Sequence, residues 1–309
     1  MRKGYGYADF DSKIKNMPEH IFTIGSMTKS FVAASIMLLQ ERGKLNVNDT
    51  IEKYIPTYKY ANKITIHQLL THTSGVHCFL KNNDPEFFKN MDKYHTEEEV
   101  FDYFKNYELD FEPGSQYSYS NAGYILLGFI IERVAKQPFK DFVKENIFDV
   151  VGMRDTFYDE TDIINKDRMA TGYNLPLSNH TVARNLHVSI TYTSGGIRST
   201  VDDMYKWDQC LYNNSVLSPQ SLRAIFTPYK NNYGYGWWID SLNIQGKQFK
   251  QIWHWGCTMG YHGIISRLTD EKTTLIILQN TTSPNLDSPE NPESLLKLRD
   301  GVFNIIFGN

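Results

Sequence analysis

The sequence lacks most of the features that assign a protein to a specialised class. It has only three cysteines, Cys78, Cys210 and Cys257, and they show neither the CxxC spacing nor a zinc-ligand pattern. Such a small and odd number does not support a disulfide framework. Like charges form no blocks and the net charge is −3, which argues against nucleic acid or an anionic membrane as the main partner. The longest apolar stretch is too short to span a bilayer, so we predict no membrane segment in this chain.

A metal-binding pattern is also lacking. His67, His72 and His77 are neighbours in the sequence, but their spacing does not place them on one helix face. We therefore predict that they form local hydrogen bonds rather than a metal site, and we expect no metal or cofactor.

The composition is that of an ordinary globular protein, with 41% hydrophobic and 22% charged residues in 309. We predict a single catalytic unit over 1–309. A helical region, about 60–225, is expected between an N-terminal sheet and helix segment, 1–59, and a C-terminal sheet with a final helix, 226–309.

Ser26 and Lys29 stand at the start of a long apolar run that ends near Gly43. The run predicts a buried helix, and residues three apart share one face of it. The lysine would face the positive end of the helix dipole, and burial would further favour its neutral amine. A neutral amine beside a hydroxyl is a base beside a nucleophile. The motif alone is common, and its ordinary interpretation is a solvated helix end.

Two further segments carry candidate site residues. A turn-rich loop, 111–121, leads into an apolar helix that begins near Gly123 and presents Tyr119 and Asn121. Tyrosine can accept a proton when cationic neighbours lower its pKa, and asparagine can orient a lysine and a substrate. His254 and Gly256 lie on a predicted strand, where glycine often marks a close approach of backbone or ligand. Taken alone, the loop could simply cap a helix, and the strand could simply carry an aromatic cluster.

The last third of the chain alternates β-branched or aromatic segments with turns, which predicts an antiparallel meander. We expect a final helix to cover it, giving an α+β fold with an antiparallel sheet flanked by helices and an associated all-helical region. The predicted elements are strands at Tyr233–Ile239, Gln251–Gly256, His262–Ser266 and Thr273–Leu278, and a helix at Pro292–Phe307.

In this order, the three candidate segments resemble the site of the serine β-lactamase-related enzymes, which include class C β-lactamases, penicillin-binding D,D-peptidases and related esterases. The resemblance covers nearly the whole chain and implies a β-lactamase/transpeptidase-like fold and a serine hydrolase that works through an acyl-enzyme. It implies Ser26 as the nucleophile, Lys29 and Tyr119 as the groups that share proton transfer, and Asn121 as the group that orients them. His254 and Gly256 would belong to the third motif, and the backbone N–H groups of Ser26 and Cys257 would form the oxyanion hole.

Two departures from the family pattern affect these expectations. His254 stands where lactamases and many D,D-peptidases carry lysine, and a neutral histidine binds a substrate carboxylate less well. This substitution favours an esterase or peptidase over a dedicated β-lactamase. The strands that family members carry upstream of Gly4 are not seen, so we expect the N-terminal strands to be missing and the native protein to be longer.

Three functions stay open on the sequence. The leading one is a serine hydrolase acting on an ester, amide or peptide carbonyl of a small-molecule or peptide substrate. A β-lactamase or D,D-carboxypeptidase proper is the second, and a non-catalytic binding or sensor module that retains the site is the third. The resemblance implies the cell envelope or secretion, although we identify no signal-peptide pattern; compartment and oligomeric state stay open.

Overall fold

The computed structural model describes residues 1–81, 89–158, 166–175, 177–282 and 292–308. Its helices are α1 Thr28–Glu41, α2 Ile66–Leu70, α3 Glu97–Asp102, α4 Asn121–Ala135, α5 Phe139–Val143, α6 Asp149–Val151, α7 Val188–Thr191, α8 Val201–Asn213, α9 Pro219–Ile225 and α10 Glu293–Phe307. Its strands are β1 Tyr7–Asp9, β2 Ile14–Lys15, β3 Phe22–Thr23, β4 Tyr173–Asn174, β5 Thr181–Val182, β6 Arg198–Ser199, β7 Trp238–Ile244, β8 Lys247–Thr258, β9 Tyr261–Leu268, β10 Thr273–Gln279 and β11 Thr281–Thr282.

The C-terminal third forms the predicted meander, an antiparallel sheet with the strand order β10-β9-β8-β7. The first predicted strand was placed too early, because the chain turns between Tyr233 and Trp238 before β7 begins. Gly236 has a φ of +77°, and a Cβ on it would lie 2.7 Å from the carbonyl oxygen of Lys29. The turn therefore presses against the start of α1 at a position that only glycine tolerates.

Helix α10 covers one face of this sheet, as predicted. Leu295 packs with Trp255 and Ile264, and Phe303 packs with Phe249 and Leu268. The buried side chains on α10, Leu295, Arg299 and Phe303, are spaced about one turn apart, so one stripe of the helix faces the strands.

Helix α1 lies inside the molecule, because every residue from Thr28 to Leu39 is buried. It packs against α4 and against a 3₁₀ turn at Tyr192–Ser194. The helix ends at Glu41, close to the predicted stop at Gly43, whose φ is +63°. A buried α1 forces Lys29, in its first turn, into the protein interior.

Other local predictions differ in their outcome. The spacing of Thr96 and Glu99 predicts a capping box at the start of a helix over 96–107; the box forms, but α3 ends at Asp102. The helix predicted over 139–148 is α5 followed by a π-helical turn at Lys144–Phe148. The middle region also contains β4 to β6, which were not predicted, and β6 pairs with β3 near the N-terminus. In the described ranges, none of the helices combines the length and apolar character needed to cross a bilayer.

Candidate active site

Ser26 lies on a 3₁₀ turn, Gly25–Met27, immediately before α1. Its two turn neighbours, Gly25 and Met27, are buried, whereas Ser26 is only partly buried. The hydroxyl therefore stands where a core helix reaches the surface of the protein. Lys29 Nζ lies 3.0 Å from Ser26 Oγ, so the two side chains meet on one face as their spacing predicted.

Lys29 is fully buried, and its hydrogen-bonding partners carry no negative charge. Its amine donates to Asn121 Oδ1 at 2.8 Å and to the carbonyl oxygen of Ser194 at 2.7 Å. Burial holds the pKa of Lys29 well below its ordinary value. A neutral amine has two N–H donors and one lone pair. Since both oxygens can only accept, the lone pair is left to accept the hydroxyl proton of Ser26.

Tyr119 approaches the same serine from the 111–121 loop. Its hydroxyl lies near Ser26, and its ring centroid lies 4.9 Å from Lys29 Nζ. Burial raises the pKa of Tyr119 well above its ordinary value, whereas the sequence analysis considered a pKa lowered by cationic neighbours. The difference arises because the neighbouring amine of Lys29 is itself driven towards its neutral form. Tyr119 is therefore a phenol that can donate a hydrogen bond.

The Tyr119 loop is held in place by His72. The backbone N–H of Ser118 donates to the carbonyl oxygen of His72 at 2.9 Å, and that of Ser120 donates to its Nδ1 at 3.1 Å. The His72 ring also packs against the Tyr119 ring, with centroids 4.2 Å apart. The sequence analysis expected only a local hydrogen-bonding role for this histidine. Its partner loop lies 48 residues away in the sequence, and histidine spacing carries no information about that contact.

Asn121 is the first residue of α4, and Ser120 caps the helix by accepting from the N–H of Gly123. This cap fixes the direction in which the helix leaves the loop. The two ends of the Asn121 amide then have different neighbours: Oδ1 accepts from Lys29, and Nδ2 lies 3.8 Å from Cys78 Sγ.

Strand β8 meets the Ser26 turn through two glycines. A Cβ on Gly256 would lie 1.9 Å from the carbonyl oxygen of Ile24 and 3.0 Å from the backbone nitrogen of Ser26. Gly25 has a φ of +53°, and a Cβ on it would lie 2.9 Å from the backbone nitrogen of Cys257. The two backbone segments expected to supply the oxyanion hole are therefore in direct contact.

His254, the first residue of the third motif, has no exposed surface. Its Nδ1–H donates to the carbonyl oxygen of Trp255 at 2.6 Å, and its Nε2 accepts from the hydroxyl of Tyr233 at 3.0 Å. Burial lowers the pKa of His254 to about 3. Both ring nitrogens are thus occupied and the ring is neutral. This geometry favours a positioning role over direct contact with a substrate.

Two contributors to the site escaped the sequence analysis. Tyr233 was read only as part of a strand, although its hydroxyl holds His254. Ser194 was not among the predicted site residues, although its carbonyl oxygen accepts a hydrogen bond from Lys29. The signal for Ser194 was the glycine pair that follows it. A Cβ on Gly196, the second glycine, would lie 2.8 Å from the carbonyl oxygen of Tyr192, so the chain folds back tightly there.

A cavity of about 390 Å³ opens beside Gly195 and the end of β8, and Ser26, Lys29, Tyr119, Asn121 and His254 are not among its lining residues. Thr23, Arg198, Thr258 and Tyr261 are among the residues that line it. All three cysteines are free thiols. In the part of the chain that the structure describes, no cluster of three histidine, cysteine or acidic side chains could hold a metal ion.

Known proteins resemble this chain in sequence and in structure. The family model described as beta-lactamase matches residues 1–299. The chain belongs to the beta-lactamase family. This membership confirms the predicted fold class and the prediction of a serine hydrolase.

The chain is 29% identical to penicillin-binding protein 4* of Bacillus subtilis over 330 residues, which cover 98% of this chain and 69% of that protein. Its structure is similar to D-amino acid amidase from Ochrobactrum anthropi, with a TM-score of 0.84, 26% identity, and coverage of 97% of this chain and 88% of the amidase. It is also similar to the octameric penicillin-binding protein homologue from Pyrococcus abyssi, with a TM-score of 0.82, 26% identity, and coverage of 99% and 70%. The chain spans between 57% and 69% of the length of the curated relatives that it matches.

Proposed function

We propose that this protein hydrolyses an amide or peptide bond through an acyl-enzyme formed on Ser26. The observation that carries the proposal is the fully buried Lys29, whose hydrogen-bond acceptors leave its lone pair directed at the Ser26 hydroxyl. A base poised in this way has no structural purpose in the core, because burying an amine costs free energy.

In the acylation step, Ser26 Oγ bonds to the carbonyl carbon as its proton passes to Lys29 Nζ. The oxyanion that forms is stabilised by the backbone N–H groups of Ser26 and Cys257, which the contact between the Ser26 turn and β8 brings together. Tyr119 donates its hydroxyl proton to the leaving nitrogen as the C–N bond breaks, and the Lys29 ammonium, 4.9 Å from the centroid of the Tyr119 ring, then gives a proton back to the Tyr119 oxygen. Both groups end this step in their starting protonation states.

Deacylation uses the same groups with water in place of the leaving amine. Water gives a proton to the Tyr119–Lys29 pair as its oxygen bonds to the acyl carbon, and Ser26 Oγ recovers a proton as the ester bond breaks. Asn121 and the carbonyl oxygen of Ser194 keep the Lys29 amine in one orientation throughout. His254 supports the site as a neutral ring whose Nε2 accepts a hydrogen bond from the Tyr233 hydroxyl.

We propose amides without a carboxylate beside the scissile bond as the preferred substrates, such as amides of aromatic D-amino acids. Two observations support this choice: the similarity to a D-amino acid amidase, and the buried neutral His254, which supplies no cation for a substrate carboxylate. Penicillins and D,D-peptides both carry such a carboxylate. A β-lactamase or D,D-carboxypeptidase is therefore the second candidate, favoured by the similarity to penicillin-binding protein 4*.

Mass spectrometry of the intact protein tests the acyl-enzyme. Incubation with an activated ester should add the acyl mass to the wild type and not to Ser26→Ala. Ser35→Ala is the matched control, because Ser35 is a buried serine on α1, the helix that follows Ser26, and its hydroxyl donates to the Phe31 carbonyl oxygen. An adduct that survives in Ser26→Ala, or none in the wild type, would overturn the proposal. A stable adduct without turnover would instead support a binding or sensor module.

The substrate class is tested by comparing turnover of an aromatic D-amino acid amide, a D-Ala-D-Ala peptide and a penicillin. We expect the amide to be turned over fastest. A penicillin or peptide that reacts faster would contradict the substrate proposal while leaving the Ser26 acyl-enzyme intact.

A further inference from the structure

A second cavity, of about 470 Å³, lies among α3, α4 and the segment that contains α7. Ser26, Lys29, Tyr119, Asn121 and His254 are not among its lining residues. Its volume lies in the range of small-molecule sites. Nothing in the proposed reaction uses it.

Three aromatic rings form much of the wall. The Phe129 and Tyr192 centroids lie 5.6 Å apart, and those of Tyr158 and Tyr192 lie 6.0 Å apart with the ring planes at 87°. All three rings line the cavity, and the Arg133 guanidinium lies over the Phe129 ring, 5.5 Å from its centroid. The face of an aromatic ring attracts a cation.

Two carboxylates belong to the same wall, Glu97 and Glu132. Glu97 is paired with Arg133 at 2.6 Å. Glu132 accepts from the backbone N–H of Phe139 at 2.7 Å, a neutral partner that leaves its negative charge in place. Burial and the charges of both glutamates raise the pKa of Tyr192 well above its ordinary value, so both carboxylates act on the hydroxyl of that ring.

Tyr192 is held in this position at a cost. Its φ is +40°, in the left-handed region that favours glycine, and a residue with a side chain is strained there. The next residues of the same turn end at Ser194, the acceptor for Lys29. The strained residue therefore lies between the cavity and the catalytic lysine.

We propose that this cavity, lined by Phe129, Glu132, Tyr158 and Tyr192, binds a small organic cation of the alkylammonium type. The rings receive the apolar and cationic surface of the head group, and Glu132 supplies the opposite charge. An anion would be repelled by Glu132, and a neutral apolar molecule would leave the negative charge of Glu132 uncompensated. None of the proposed catalytic residues lines the cavity, so this proposal does not depend on the proposed reaction.

Two matched probes test the site in the full chain. Choline and 3,3-dimethylbutan-1-ol have the same shape, but only choline is charged. Titration followed by ligand-detected NMR should show saturable choline binding and at least about tenfold weaker binding of the neutral alcohol, a preference that cation–π and carboxylate contacts can supply. Equal binding of the two probes, or no saturable choline binding, would overturn the proposal.

Glu132→Gln is the decisive variant, because the amide oxygen can still accept from Phe139 while the charge is lost. We expect choline to bind several-fold more weakly to it, with the neutral alcohol unaffected. Glu98→Gln, at an exposed glutamate on α3 outside the cavity, should bind choline as the wild type does. Ser26→Ala should also retain binding. Loss of choline binding in Ser26→Ala would place the probe in the catalytic site and refute the second site.

Discussion

Lys29 and Arg267 are two basic side chains with 0% and 1% exposure, yet they have opposite environments. Lys29 is hydrogen-bonded to a hydroxyl, an amide oxygen and a backbone carbonyl. Arg267 Nε donates to Asp208 Oδ1 at 2.6 Å, and its guanidinium lies over the Tyr212 ring at 4.6 Å from the centroid. One basic group is buried without an acid, and the other has a fully buried carboxylate as its partner.

We expect the two environments to give different roles: a base for Lys29, and a cation that stabilises the fold for Arg267. A lysine that is buried among neutral acceptors gives up its proton and becomes a base. A guanidinium does not lose its proton in proteins, so it can be buried only where a carboxylate and ring faces compensate it. Asp208 on α8 and Arg267 on β9 thereby join a helix to the sheet, whereas Lys29 serves Ser26.

The largest effect is expected from Lys29→Arg, which replaces a titratable amine by a permanent cation. Because the base is removed, kcat/KM for an activated ester should fall by roughly a thousandfold, within the usual range for loss of a general base. Stopped-flow acylation measures the change. Lys44→Arg, at an exposed lysine just beyond α1, is the control and should keep full activity. Near-normal acylation in Lys29→Arg would mean that Lys29 is not the base.

Arg267→Met should destabilise the fold by about 3–5 kcal/mol, because Asp208 is left buried without its partner. Acylation per folded molecule should be unchanged. The double variant Arg267→Met with Asp208→Leu removes both charges and should recover most of the loss. Urea unfolding measures all three proteins. A single variant as stable as the wild type would contradict a structural role for this pair.

His254→Gln should reduce the loss of unfolding free energy that the wild type shows at acidic pH. The native pKa of about 3 is below the ordinary value of 6.5, so the unfolded chain binds a proton that the native state excludes between these values. Stability attributable to His254 therefore falls as the pH drops from 6.5 towards 3, by roughly 2 kcal/mol at pH 5. Unfolding free energies at pH 5 and pH 7 should differ less in His254→Gln than in the wild type. His180→Gln, at a partly exposed histidine, should leave the difference as it is.

The smallest effect concerns the contribution of Lys29 to the pH dependence of the free energy of unfolding. Its native pKa lies well below 10.5, so above that native value the unfolded chain binds one more proton than the native state. The wild type should therefore gain stability relative to Lys29→Met as the pH rises towards 10.5, by about 1.4 kcal/mol per pH unit. Urea unfolding near pH 8 and pH 9 measures the slope. A constant difference between the two proteins would show that the native lysine is charged, and the contrast with Arg267 would fail.

Much of the local structure followed from the sequence. The apolar run after Lys29 predicted α1, the capping residues predicted the start of α3, and the β-branched and aromatic segments predicted the meander. The predicted start of β7 was wrong because Tyr233 and Tyr235 have strand propensity, whereas contact between Gly236 and α1 imposes a turn. Short strands such as β6 were missed because a two-residue bridge has no periodicity to detect.

For the site, the sequence by itself determined which residue types were available and that Ser26 and Lys29 would share one helix face. The roles of Ser26, Lys29, Tyr119, Asn121 and Cys257 stay predictions until acylation is measured. Only the tertiary structure decided that Lys29 would be surrounded by neutral acceptors and that His72 would hold the Tyr119 loop. It also decided that Nε2 of His254 would accept a hydrogen bond from the hydroxyl of Tyr233. The physical reason is that a pKa depends on desolvation and on partners distant in the sequence, and local residue patterns encode neither.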